Sequence, residues 1–290
     1  MPFQNIAFAA ELDRHVDPEC EDQARILCGE DPETRKRMIE DLRNMIYERG
    51  ECHPPRMDDA FLIRFLRARR FIPARAHRLM VRYCKFREQN PHLWRDVYWF
   101  GLERLGNVIE GVLFDRPDVG RLIICRLGEW DPNISPIDDI LRGCTLLIEI
   151  GLLQPKLQVL GGTSIFDCEG IGMKHIRQLT PSSAMQIMDV MGLAFPFHQR
   201  AVHIINCSRI FKSLIYVFKR LVPAEIWERV YFHGYDLSSL HRYIDPACLP
   251  TRYGGTHQAV PMKEWLNKIK QYKNKEFDED MRNLGYAVDE

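Results

Sequence analysis

Residues 164–205 read SIFDCEGIGMKHIRQLTPSSAMQIMDVMGLAFPFHQRAVHII, and the order of elements in this stretch decides the fold. Ser164–Phe166 is a short apolar run bounded by turn residues and reads as a strand. Gly170 and Gly172, close behind Asp167 and Glu169, suit a strand-to-helix turn that needs positive φ. Thr180-Pro181 opens a helix reaching to about Ala194, because proline fits the first helical position and threonine can cap it. Val202–Ile205 is the next strand. Strand, helix and strand in that order predict a crossover unit of an α/β sheet.

The same alternation extends outward. Upstream, Val112–Phe114 and Leu122–Cys125 are apolar runs joined by the turn-like DRPDVG, a predicted hairpin, and Ser135-Pro136 caps a helix running to about Leu153. Downstream, Arg209–Val222 is a helix stopped by Pro223, Val230–Phe232 is the last expected strand, and the tail after Pro261 is helical, then acidic and expected to fray. The first third reads as helices alone. Met38, Leu42, Met45 and Ile46 share one face between Asp31-Pro32 and Gly50; Asp58 or Asp59 caps a second helix with Phe61, Leu62, Phe65 and Leu66; Pro73 opens a third that Asn90-Pro91 ends. The expected architecture is a helical bundle over residues 31–95, preceded by an extension (1–30), and an α/β domain over 96–257 with a mostly parallel sheet, followed by a C-terminal helix and acidic tail (258–290).

Composition excludes several classes. The chain has 290 residues, 46% of them hydrophobic, enough for a substantial core, and its 40 basic and 40 acidic residues cancel, so no global field draws it to nucleic acid or membrane. The opening MPFQNIAFAAELDRH lacks a basic segment and a long apolar run, so it does not read as a signal peptide, and no stretch is long and apolar enough to span a bilayer. The nine cysteines are scattered without a C-x-x-C pair, which fits reduced thiols in the cytosol and no metal centre. No G-x-S-x-G, H-E-x-x-H, Walker A loop or G-x-G-x-x-G is present, so a non-enzyme is expected.

Three stretches resemble the CRAL-TRIO (Sec14-like) family, in particular its branch of α-tocopherol transfer protein and cellular retinaldehyde-binding protein. They are Asp59–Arg69 (DAFLIRFLRAR), Ile165–Gly170 (IFDCEG), and His203–Asn206 (HIIN) together with Leu249–Gly255 (LPTRYGG). The match runs in order from about residue 31 to 257. The resemblance implies a carrier that encloses one hydrophobic small lipid under a movable helix and moves it to or from membranes. The lipid is expected to be a retinoid, tocopherol-like or other prenol molecule; phosphatidylinositol transfer, phospholipid transfer or a lipid-sensing regulatory module is the alternative.

Carried over by position, the resemblance implies a pocket lined by Leu141, Cys144, Ile148, Phe166, Ile187, Val190, Met191, Phe195, Val202, Leu214, Val217 and Val222. The lid is the helix carrying Ile210, Phe211, Leu214, Ile215, Phe218 and Leu221. By pattern alone that helix is apolar around most of its circumference, so one core cannot hide it all. Where the tocopherol carrier has serines, this chain has Cys144 and Ile148, which offer a polar head little.

Between Phe61 and Phe86 every charged residue is basic: Arg64, Arg67, Arg69, Arg70, Arg75, Arg78, Arg82 and Lys85. Such a surface can meet anionic headgroups. The positions implied for a phosphoinositide are Arg64, His198 and Arg229, with Arg200 nearby; Glu225 opposes phosphate there, and an unshifted His198 is mainly neutral at cytosolic pH. The expected partners are thus a hydrophobic ligand and a transient membrane contact, with no cofactor and no nucleic acid, for a monomer in the cytoplasm.

Overall fold

In the computed structural model, which describes residues 18–116, 119–257 and 260–288, helices come first and strands begin only at Ile109. Helix α1 (Pro18–Gln23) continues as a π turn to Cys28, and α2 (Arg35–Arg49) stops at Gly50, whose φ is 58°. The α2 helix starts after Thr34, because Asp31-Pro32 forms a separate turn. Helix α3 (Asp59–Ala68) is capped by Asp58, which accepts from the Phe61 amide at 3.0 Å. Helix α4 (Pro73–Gln89) begins on its proline. The opening residues that were read against a signal peptide lie outside the described residues.

The sheet region follows as β1 (Ile109–Arg116), β2 (Gly120–Arg126), α5 (Ile137–Gly151), α6 (Pro155–Leu160) and β3 (Gly162–Asp167). Next come α7 (Met173–Ile176), α8 (Pro181–Met188) with a π turn over 189–193, β4 (Gln199–Ile205), α9 (Arg209–Phe218), α10 (Ala224–Trp227) and β5 (Val230–Gly234). The chain closes with α11 (Leu237–His241), β6 (Val260–Pro261), α12 (Met262–Tyr272) and α13 (Lys275–Asn283). Strand order is β5-β4-β3-β2-β1-β6, with β2 to β5 parallel and β1 antiparallel to both neighbours. This is the mostly parallel α/β sheet expected.

Alternation along the strands sends Ile165 and Ile205 to one face, against Leu240, Leu249 and Tyr253, and Phe166, Val202 and Ile204 to the other, toward α9. Asp167 ties the motif stretches together: its carboxylate accepts from Tyr253 Oη at 2.9 Å, Asn206 Nδ2 at 2.8 Å and the Glu169 amide at 3.0 Å. Gly170 has a φ of 79°, as the turn requires, but Gly172 is extended and needs no glycine for its backbone. At Gly255 a Cβ would lie 1.9 Å from the Leu249 carbonyl oxygen, so the close crossing admits no side chain.

Both ends of the described chain are packed. Glu30, buried, binds Arg67 Nε at 2.7 Å while Gln158 accepts from Arg67 Nη1 at 2.7 Å, and Cys20, Ala24 and Cys28 lie against Val159 and Leu160 of α6. At the other end Phe277, Met281, Leu284, Tyr286 and Val288 are core residues, so the tail does not fray: Glu276 and Glu279 stay on the outer face of an amphipathic helix, while Asp280 is buried against Arg56.

On the face away from α9, His203 Nδ1 meets His233 Nε2 at 2.9 Å and His233 Nδ1 meets Ser239 Oγ at 2.8 Å. His203 is 1% exposed, and burial, with His233 beside it, pushes its pKa down to about 4 from 6.5. Between those values the unfolded chain holds the extra proton, so stability must fall as pH drops from about 6.5 toward 4. This residue should account for about 2 kcal/mol lost between pH 7 and 5, read as a urea midpoint, and His203→Phe should flatten that part of the slope. An unchanged slope in the variant would show that His203 is not the source.

Candidate functional site

Ser208 starts α9 by accepting from the Phe211 amide at 3.2 Å, and this cap sets which face of the helix meets the sheet. Phe211 is buried and Leu214 and Ile215 are half-buried, packed with Val202, Ile204, Val230 and Phe232. Beneath the helix lie two adjoining cavities of about 110 and 170 Å³. Leu127, Phe166, Leu179, Ile187, Met191 and Phe211 belong to both walls and form the partition between them.

The walls are apolar, and the polar atoms of Trp130 and His175 in them are engaged. The Gly172 amide donates to His175 Nδ1 at 2.9 Å, so Nε2 carries the proton and donates to the Trp130 carbonyl at 2.8 Å. The Cys144 thiol lies beside that of Cys125, and the Cys168 thiol donates to the Phe166 carbonyl at 3.9 Å. A ligand in these cavities meets hydrocarbon, aromatic faces and sulfur.

Of the expected lining, Leu141, Cys144 and Val190 stand in the smaller cavity, Val202 and Val222 in the larger, and Phe166, Ile187 and Met191 in both. Leu214 packs beside the cavity without lining it. Three further residues also lie off the cavity walls. Ile148 faces the main core, and Phe195 is fully buried there with its ring edge-on to Tyr83 and Phe86 at 5.5 and 5.3 Å. Val217, 67% exposed, points away from the cavity, as does Ile210 of the expected lid face at 81%. The lid thus has two faces: Phe211, Leu214 and Ile215 inward, Ile210 and Val217 outward. The side chains of Phe218, Leu221 and Glu225 lie outside the described residues.

A separate cleft of about 500 Å³ opens behind the π turn at 189–193. Arg67, Arg69, Arg70, Arg75, Arg82, His198 and Arg229 line it, and no acidic side chain does among the described residues. Arg69 binds only carbonyl oxygens, those of Ala68 at 2.9 Å and Gly192 at 3.4 Å, and desolvation with Arg82 and Arg229 nearby lowers its pKa. Arg229 donates to the Gln199 carbonyl at 2.9 Å. The His198 ring reaches solvent at the rim, and its partial burial, reinforced by Arg229, Arg200, Arg69 and Arg70, lowers its pKa to about 4, so it adds no charge at neutral pH. Met191 and Ile226 line both this cleft and the larger apolar cavity.

Two of the residues expected on this surface are elsewhere. Arg64 is 2% exposed, its guanidinium 4.9 Å from the Phe61 ring and 3.8 Å from Glu149, because α3 turns that face inward. Arg200 donates to the Leu160 carbonyl at 3.0 Å, beside the cleft. The cleft arginines Arg69, Arg70, Arg75 and Arg82 were visible as a run of basic residues. The cavity residues Ile171, Leu179, Ala184, Ile226, Trp227 and Val230 were not, since nothing in their spacing separates a cavity wall from packed core.

Comparison with known proteins places these features in a family. The family model described as CRAL/TRIO domain matches residues 117–255. Clavesin-1 of Xenopus laevis is 32% identical over 258 residues, covering 88% of this chain and 78% of its own length. Clavesin-2 of Homo sapiens is 30% identical over 282 residues, covering 96% and 84%. Among solved structures, Sfh5 superposes with a TM-score of 0.50 over 83% of this chain and 98% of its own, at 14% identity, a likeness of fold.

Proposed function

The chain belongs to the CRAL/TRIO family of lipid-binding proteins, and from that premise we propose that it carries one largely apolar lipid beneath α9 and passes it to and from membranes. The observation that carries this reading is the pair of cavities under α9, whose walls are apolar and whose one lining histidine, His175, has both ring nitrogens hydrogen-bonded within the protein. With walls this apolar, fit and desolvation set selectivity, which favours a prenol-type or other hydrocarbon-rich molecule over a phospholipid. Pockets for drug-sized ligands occupy about 300–1,000 Å³, so loading requires the partition and the lid to yield.

The same premise gives the outer face of α9 and the basic cleft their parts. Ile210 and Val217 are exposed apolar side chains beside Arg209 and Lys212, a pattern suited to a membrane interface. The cleft would take the phosphates of a phosphoinositide headgroup. Met191 and Ile226 would then pass the contact to the lipid cavity, since phosphate drawing Arg69 from the Gly192 carbonyl loosens the shared wall.

Each basic contact with an anionic surface is worth about 1 kcal/mol, so Arg69→Ala with Arg229→Ala should weaken binding to vesicles containing phosphatidylinositol bisphosphate by roughly thirty-fold at low salt. Transfer of cis-parinaric acid, a polyene that fluoresces in apolar sites, should slow with it. Binding to phosphatidylcholine vesicles should not change. Equal affinity of wild type and variant for the phosphoinositide vesicles would remove the headgroup from the account.

A further inference from the structure

The turns that end β3 and β4 bring two thiols together at the base of the lid. Asp167 pairs with Ile205 in the parallel ladder, the Cys168 amide donates to the Ile205 carbonyl at 3.0 Å, and the chain then turns through Asn206 at a φ of 52°. Asn206 is held by its hydrogen bond to Asp167, which fixes the turn. Cys168 and Cys207 are 5% and 6% exposed and belong to one apolar cluster with Phe211. The Cys168 thiol reaches the Phe166 carbonyl at 3.9 Å and the Cys207 thiol the Ser208 carbonyl at 3.6 Å, and the two sulfurs are near enough to shift each other's pKa. Cys168 follows the last ladder pair by one residue and Cys207 by two, which keeps both thiols at the same end of the sheet and in the same cluster.

We propose that Cys168 and Cys207 form a reversible disulfide that locks the hinge of α9. Cys207 immediately precedes Ser208, the cap of α9, so a covalent bond to Cys168 ties the start of the lid to the end of β3. Cys168 also lines the larger cavity, so a small oxidant reaches the pair through the empty pocket and a bound lipid shields it.

Hydrogen peroxide is the oxidant class, and the reaction balances in two steps. The Cys207 thiolate attacks one peroxide oxygen, giving a sulfenic acid and, once the departing hydroxide takes up the thiol proton, one water. The Cys168 sulfur then displaces the sulfenic oxygen, which leaves as the second water with the second thiol proton. Two thiols lose two electrons and one peroxide gains them. Cys207 is the attacking sulfur because the neighbouring Cys168 thiol and the Lys212 ammonium lower its pKa, while the neighbouring Cys207 and burial raise that of Cys168.

The gating part rests on the carrier reading above; the bond itself does not. The test treats the full chain with hydrogen peroxide and maps its peptides without reduction by mass spectrometry. The expected product joins the peptides of Cys168 and Cys207 at two hydrogens below their summed mass and is reversed by dithiothreitol. Oxidised protein should release cis-parinaric acid to phosphatidylcholine vesicles about ten-fold more slowly than reduced protein, with the difference absent in Cys168→Ser and Cys207→Ser. Absence of that linked peptide in a chain with an unchanged circular dichroism spectrum would overturn the proposal, and so would a linked chain that releases the probe at the reduced rate. A chain that forms the bond but takes up no probe would support the disulfide and count against the carrier reading instead.

Discussion

Glu149→Ala should lower the free energy of unfolding by about 3–5 kcal/mol, the usual cost of removing one partner from a buried charge group. Glu149 is 1% exposed and lies between two buried guanidiniums, Arg64 at 3.8 Å and Arg87 at 3.7 Å, while Tyr83 Oη donates to it at 2.8 Å. Burial lowers the pKa of Arg64 against the pull of Glu149, so the charge is already held at a cost. Without the carboxylate two positive charges stay inside, among aromatic faces and the Arg56–Asp280 pair: Arg87 stacks on Trp94 at 3.7 Å and Arg64 on Phe61. Glu149→Gln keeps an acceptor for Tyr83 and should fall between the wild type and the alanine variant. Denaturant midpoints decide it, and a loss below about 1 kcal/mol would show that Glu149 does not compensate the arginines.

The second large effect is on ligand. Val202→Trp should abolish uptake of an apolar lipid, lowering affinity by about a hundred-fold or more, because the indole occupies the larger cavity from the floor on β4. Val202 is only 4% exposed, so its folding must be checked in the same series by circular dichroism. Uptake at wild-type strength by a folded variant would place the lipid elsewhere.

The legible parts of this fold were those with local causes. Asp58 and Thr180 cap where a capping residue precedes an apolar helix, Gly50 and Gly170 take the positive φ their turns need, and the crossover pattern gives the parallel ladder. What escaped depends on distant partners. Arg64 sits in a basic run that reads as surface, and it is buried only because α5 brings Glu149 beneath it. Strand β6 is two residues long and exists through pairing with β1. In α9 the apolar pattern runs around the helix, so spacing could not say that Ile210 and Val217 face outward while Phe211 faces inward. The cavity walls were half legible, by resemblance, and His175 of α7, Ala184 and Met188 of α8, and Ile226 and Trp227 of α10 were added only by the way those short elements converge on α9.

Native mass spectrometry of the chain incubated with vesicles of phosphatidylcholine containing a prenol lipid such as α-tocopherol or a retinoid tests the central claim most directly. The account predicts a one-to-one complex with the prenol lipid, absent in Val202→Trp, and no retained phosphatidylcholine. A chain that emerges empty, or that holds phosphatidylcholine in preference to the prenol, would contradict it.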